Sequence, residues 1–222
     1  MLWIKICATT NLDDARAALD AGASALGVIL TASPRQIRLR AASHIIRQLH
    51  SSTEKIGVVV NEAPGRLKEL AELVGCTGFQ LHGGEPADQL PEFRRALGLR
   101  KIIKTLQVGE LLANSAKLDG YLAHAGLIDG FLLDSGSASS RGGTGQTFDW
   151  HAALPLVQRI KRHKPVIIAG GLNPENVADA IHLFDPCGVD VVSGVELSAG
   201  KKVPAKLRAF LAAARAAQLT DQ

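Results

Sequence analysis

The chain has 222 residues, 46% of them hydrophobic and 21% charged, with a formal charge of +4. That length suits one large core; the charge is too small to mark a nucleic-acid binder, and 4% aromatics are too few to stack single-stranded bases. No apolar run approaches the length of a membrane span and no secretory leader is legible, so the three cysteines are expected in a reducing cytoplasm.

A strand pattern followed by a helix pattern repeats along the whole chain. Trp3–Cys7 is the first strand; Asn11 caps the helix Leu12–Ala21. Ala25–Leu30 and the helix Ala41–His50 follow, then Ile56–Val60 and a helix from Pro64, a favourable first-turn residue, to Val74. Gly78–Leu81 precedes the helix Ala87–Leu97, and Lys101–Leu106 precedes a helix within Gly109–His124. Gly130–Leu133 leads to Trp150–His163, Pro165–Ala169 to Pro174–Leu183, and Gly188–Val192 to the closing helix Pro204–Gln218.

Eight such units average about 28 residues, close to the minimum for a (β/α)8 barrel. The strands are short, β-branched and nearly continuously apolar, as a parallel sheet covered on its outer face requires. A doubly wound open sheet is the alternative, but it needs a strand-order reversal that this regular alternation does not suggest. No linker or composition shift divides the chain, so one domain over 1–222 is expected.

A barrel carries its chemistry at the C-terminal ends of its strands. Cys7 ends the first strand, Arg35 and Asn61 follow the second and third, and Gln80 and His82 flank the end of the fourth. Asp134 ends the sixth, Gly170-Gly171 the seventh and Ser193-Gly194 the eighth. Paired glycines let backbone N–H groups approach an anion, and the helix opened by Asn173-Pro174 adds its dipole, so the seventh and eighth loops read as a phosphate grip. Gly142 and Gly143, in a third glycine cluster, read as part of that cradle or as a loop over the site.

Asp134 could simply cap its loop; opposite Cys7 on a barrel mouth it becomes a candidate acid, kept protonated by burial. Cys7 is then the base, and its thiolate needs positive charge nearby. Period-2 alternation points Lys5 into the interior beside it, with Asp190 on the closing strand as the ion-pair partner. Activity is expected to fall in acid as Cys7 protonates and in alkali as Asp134 ionises. Cys76 and Cys187 read as small apolar residues, and the seven histidines show no HxH or HExxH spacing, so no metal and no cofactor are expected.

These residues together resemble the phosphoribosylanthranilate isomerase family of tryptophan biosynthesis. The matching stretches are KIC at Lys5–Cys7, NLDDA at Asn11–Ala15, SPR at Ser33–Arg35, VN at Val60-Asn61 and FQLHG at Phe79–Gly83. LLDS at Leu132–Ser135, GGTGQTFDW at Gly142–Trp150, AGGLNPENV at Ala169–Val177 and GVDVVSGVE at Gly188–Glu196 continue in the family's order. The resemblance implies a cofactor-free Amadori rearrangement. Asp134 matches the general acid, Cys7 the general base, and Arg35 a position beside the anthranilate carboxylate. Gln80, His82 and Asp190 are expected to contact substrate; Gly142, Gly143, Gly170, Gly171, Ser193 and Gly194 are expected to hold the phosphate.

The expected partner is a small phosphosugar, with no nucleic acid and no membrane, acted on by a monomer or homodimer. Ala8 stands where the family usually has Gly, Gln146 where Lys is common, and the GVIL and GVVV stretches lack the family's aromatics. Two other readings stay open: a different phosphosugar enzyme, such as an epimerase or an aldolase using Lys104 as a Schiff-base lysine, and a non-catalytic barrel that only binds a sugar phosphate.

Overall fold

The computed structural model describes residues 1–136 and 147–219. Eight strands pair in parallel in chain order: β1 (Trp3–Ile6), β2 (Ala25–Ile29), β3 (Glu54–Val59), β4 (Gly78–Leu81), β5 (Lys101–Gln107), β6 (Gly130–Asp134), β7 (Val166–Ile168) and β8 (Gly188–Val191). β8 returns to β1, with Lys5 opposite Asp190, and closes the barrel. The open-sheet alternative is thereby excluded.

The helices are α1 (Leu12–Asp20), α2 (Leu39–Arg47), α3 (Pro64–Val74), α4 (Leu90–Leu97), α5 (Val108–Ala113), α6 (Ala116–Ala123), α7 (Trp150–Lys161), α8 (Val177–Phe184) and α9 (Pro204–Leu219). Asn11 caps α1 by accepting from the Asp14 N–H, as expected, and Asp149 does the same for α7 through the Ala152 N–H. Where one helix was expected within Gly109–His124, two form. They part at Asn114, whose side chain accepts from the Ala116 N–H. α8 starts three residues past Pro174, because the Asn173 side chain first takes the N–H groups of Glu175 and Asn176 into a tight turn. A short antiparallel hairpin, β9 (Glu196–Ser198) with β10 (Lys201–Lys202), was not legible in the alternation and follows β8.

Burial divides into two cores. A large one lies between sheet and helices; a small one of Ile103, Leu132, Ile167 and Ala169, with Trp3 against it, fills the barrel. Lys5, Gln80 and Thr105 are also buried.

Just past β1 the backbone passes through one left-handed residue. The Cys7 N–H still donates to Val191 O, and the Thr9 N–H donates to Gly27 O. Between them Ala8 adopts φ +58°. Any L-residue there sits in the left-handed region, at a cost of about 1 kcal/mol that glycine avoids. Ala8 has no exposed surface, so a larger side chain has nowhere to expand. Ala8→Val is expected to destabilise the fold by about 2–3 kcal/mol, from β-branching at positive φ and overpacking, read as a lower urea midpoint. An unchanged midpoint would mean that this turn relaxes freely.

Candidate active site

Because all eight strands are parallel, their C-terminal ends share one mouth. Cys7 and Asp134 both lie there, 3% and 5% exposed. Two glycines make room for them. A Cβ at Gly27 would fall 2.6 Å from Cys7 Sγ, and one at Gly170 would fall 2.8 Å from Asp134 Oδ1. Gly27 was not singled out from the sequence, although an isolated glycine inside an apolar strand is the usual mark of a close approach.

Lys5 is fully buried and its Nζ stands 2.7 Å from Asp190 Oδ1. Its charge bears on Cys7, His82 and Asp134 alike, so all three face one interior. Burial pushes the Cys7 thiol up and the Asp190 charge adds to it, while Lys5 and Lys202 pull it down without prevailing. The cation expected beside Cys7 is there as Lys5 and lowers the thiol, but desolvation is the larger effect. Burial also pushes Asp134 up, against the N–H groups of Ser135 and Gly136 and the charge of Lys5, the direction that suits a proton donor.

His82 Nε2 lies 3.5 Å from Asp134 Oδ2. This is no ion pair, because burial, then Lys104 and Lys5, lower the imidazole to about 4 and leave it neutral. Gln80 Nε2 contacts His82 Nδ1 at 2.9 Å and donates to Thr105 Oγ1 at 3.1 Å. With the Gln80 amide donating to Nδ1, the ring proton is assigned to Nε2, facing Asp134. Gln80, 1% exposed, thus orients His82 from below, and Asp190, 5% exposed, is engaged with Lys5. Both support groups at the mouth more than they present surface to it.

Lys104 Nζ donates to Leu81 O at 3.2 Å, Gly83 O at 2.8 Å and Glu85 Oε2 at 2.7 Å. At 1% exposure and held by these three acceptors, Lys104 presents no amine to the mouth, which counts against the aldolase alternative even though burial lowers its pKa. Glu85 also accepts from the N–H groups of Asn61 and Gly83, tying the loop that carries His82 to the end of β3. The sequence reading missed Glu85. A carboxylate directly after a glycine pair gives no hint of burial, whereas here it is 2% exposed.

Gly170 and Gly171 adopt φ +78° and +68°, conformations other residues adopt only with strain. A Cβ at Gly194 would lie 2.0 Å from Leu172 O, so the loops after β7 and β8 meet. Ser193 and Gly194 open the one-turn 3-10 helix Ser193–Val195. Gly142 and Gly143 lie outside the described residues. Arg35, after β2, is engaged with Glu196. Cys76 is buried, as expected of a small apolar residue, but Cys187 is exposed. Among the described residues, no group of three or more His, Cys, Asp or Glu could hold a metal, and no helix is long and apolar enough to cross a membrane.

A family model described as N-(5'phosphoribosyl)anthranilate (PRA) isomerase matches residues 4–213. A relative of that name from Moorella thermoacetica is 43% identical, covering 98% of this chain and 92% of its own. Another from Desulforudis audaxviator is 41% identical, covering 98% and 100%. The crystal structure of phosphoribosyl anthranilate isomerase from Thermotoga maritima superposes with a TM-score of 0.83 at 33% identity, covering 97% of this chain and 100% of that one. A structure of such an isomerase with reduced 1-(o-carboxyphenylamino)-1-deoxyribulose 5-phosphate gives 0.80 at 33% identity, with the same coverage. A 3-hexulose-6-phosphate synthase from Salmonella typhimurium, at 15% identity and a TM-score of 0.73, shares the fold alone.

Proposed function

The chain belongs to the N-(5′-phosphoribosyl)anthranilate isomerase family, and from that premise we propose how its own residues carry the reaction. It is an isomerase, converting N-(5′-phosphoribosyl)anthranilate to 1-(2-carboxyphenylamino)-1-deoxyribulose 5-phosphate, a step of tryptophan biosynthesis. Asp134 is the acid. Its carboxyl donates a proton to the furanose ring oxygen as the C1′–O bond breaks, leaving an iminium between C1′ and the anthranilate nitrogen. Cys7 is the base. Its thiolate takes the C2′ proton, and the electron pair moves into C1′–C2′ as the iminium collapses to an enolamine. Tautomerisation then gives the 2′-ketone.

The observation that carries this reading is the shared placement of Cys7 and Asp134 at one barrel mouth, each in a space that a glycine leaves open. The chemistry asks for one group to accept a proton and one to donate it, and the acid's environment favours its protonated form. The neutral His82, with Nε2–H toward Asp134, suits hydrogen bonding to substrate hydroxyls without adding charge. The substrate's phosphate is assigned to the touching loops of Gly170, Gly171, Ser193 and Gly194, where backbone N–H groups can approach an anion closely. Thermotoga maritima has a dimeric relative; for this chain, monomer and homodimer are alternatives that sedimentation would separate.

The purified protein is expected to consume N-(5′-phosphoribosyl)anthranilate in a fluorescence assay, with inorganic phosphate as a competitive inhibitor. Gly194→Val drives a side chain into Leu172 O and parts the two loops. It should raise KM about tenfold or more and weaken phosphate inhibition in proportion. Turnover insensitive to phosphate, or a Gly194→Val enzyme that changes kcat and not KM, would place the anion elsewhere.

A further inference from the structure

Arg35 is half-buried and does not reach the mouth as a free side chain. Its Nε donates to Glu196 Oε2 at 2.9 Å and Oε1 at 3.2 Å, and its Nη2 stands 2.9 Å from Oε2. One side of the guanidinium fork is thus committed, and the end formed by Nη1 and the second Nη2 proton is the edge left for another planar acceptor. Glu196 is itself enclosed, with a side chain 3% exposed. Its Oε1 also accepts from Lys202 Nζ at 3.1 Å and from the Gly200 N–H at 3.1 Å. Lys202 in turn donates to Val192 O at 3.2 Å, and its own N–H donates to Asp14 Oδ2. Thr10 Oγ1 donates to Gly200 O and ties the same hairpin to the loop after β1.

On this carboxylate Lys202 and Arg35 meet from two sides, and burial lowers the Lys202 pKa while Glu196 raises it. Lys202 has no exposed side-chain surface, so its bond to Glu196 is little screened by solvent. An arginine on a loop would otherwise lose rotamer freedom when it bound a ligand; fastening it beforehand removes that cost.

We propose that Glu196, held in place by Lys202 and the β9–β10 hairpin, is the positioning residue that fixes the Arg35 guanidinium so that its remaining edge receives the substrate's aromatic carboxylate. The inference rests on the reading of Arg35 as the carboxylate's partner. It adds a specificity device that the hairpin supplies: the site selects an ortho-carboxylated aniline because the fork is set before the substrate arrives.

The test is calorimetric binding of two ligands, the reduced carboxyphenylamino deoxyribulose phosphate and the same molecule without its carboxyl group. In Glu196→Gln the carboxylated ligand should bind about tenfold to a hundredfold more weakly, while the other changes by less than about threefold. Arg35→Met should erase the preference for the carboxylated ligand, and Glu196→Gln added to Arg35→Met should change neither affinity further. Equal weakening of both ligands by Glu196→Gln, or none, overturns the proposal while leaving the Arg35 reading intact. A preference that survives Arg35→Met overturns the Arg35 reading, and the proposal with it. If Glu196→Gln fails to fold, Glu196→Gln/Lys202→Met removes both buried charges together and is judged by the same comparison.

Discussion

Cys7→Ala and Asp134→Asn are each expected to lower kcat by roughly 10²–10⁴ while KM stays within about threefold. The split follows from their roles. Each is assigned to a proton transfer, and neither to holding the phosphate or the carboxylate in the ground state. Asp134→Asn keeps an oxygen to accept from the Ser135 and Gly136 N–H groups, whose pull on the carboxyl is already felt, and removes only the transferable proton. Cys7→Ala removes Sγ from the space beside Gly27 and leaves the strand ladder alone. Both sites are buried, so circular dichroism and a urea midpoint accompany the kinetics. Near-normal turnover in either variant would take that residue out of the mechanism.

Lys5→Met is expected to cost about 3–5 kcal/mol of stability, the range for stripping one partner from a buried ion pair. Lys5 has no exposed surface, Asp190 is 5% exposed, and 2.7 Å separates them. Without the ammonium, the Asp190 carboxylate keeps its desolvation penalty and loses its compensation. Burial alone would lower the Lys5 pKa, but Asp190 and then Cys7 raise it above its ordinary 10.5. A group raised on folding stabilises fully below its unfolded value and loses that contribution as pH climbs through the folded one. The pair is therefore at full strength at pH 7 and fades only in strong alkali. Adding Asp190→Asn to Lys5→Met should recover part of the loss, because the orphaned charge goes too. Urea unfolding at pH 7 decides it; a midpoint unmoved by Lys5→Met would mean that water reaches Asp190. The same substitution removes the main cation lowering Cys7, so the thiol should ionise at still higher pH.

Most of the frame was legible because a parallel barrel writes itself as short apolar runs at regular intervals. IGVVV and PVIIA name their strands without help, and polar residues at the ends of such runs must gather at one mouth. Period-2 alternation also sufficed to pair Lys5 with Asp190, since neighbouring strands bring inward residues into register. What stayed hidden depends on residues far apart in sequence. Glu196 meets Arg35 across 161 positions, and nothing local marks either as the other's partner. The β9–β10 hairpin is too short to show a period. The thiol's full environment stayed hidden for a related reason: a lysine two residues away is visible in the sequence, while the desolvation that outweighs it is a property of the closed barrel. Ala8 shows the opposite case, where a single departure from a glycine marked a turn at φ +58°.

Burial raises both the Cys7 thiol, from its ordinary 9.0, and the Asp134 carboxyl, from its ordinary 3.8. The reactive form pairs a thiolate with a carboxylic acid, one of the two singly protonated states of the pair. kcat/KM is therefore expected to be bell-shaped, with one limb set by the thiol and the other by the carboxyl. The most direct test is the pH dependence of kcat/KM, measured beside the rate of iodoacetamide alkylation at Cys7. Alkylation is followed by peptide mass, because the exposed Cys187 also reacts. The expected result is a bell one limb of which coincides with the ionisation of the Cys7 thiol. A profile in which neither limb tracks the thiol would contradict the assignment of Cys7 as the base.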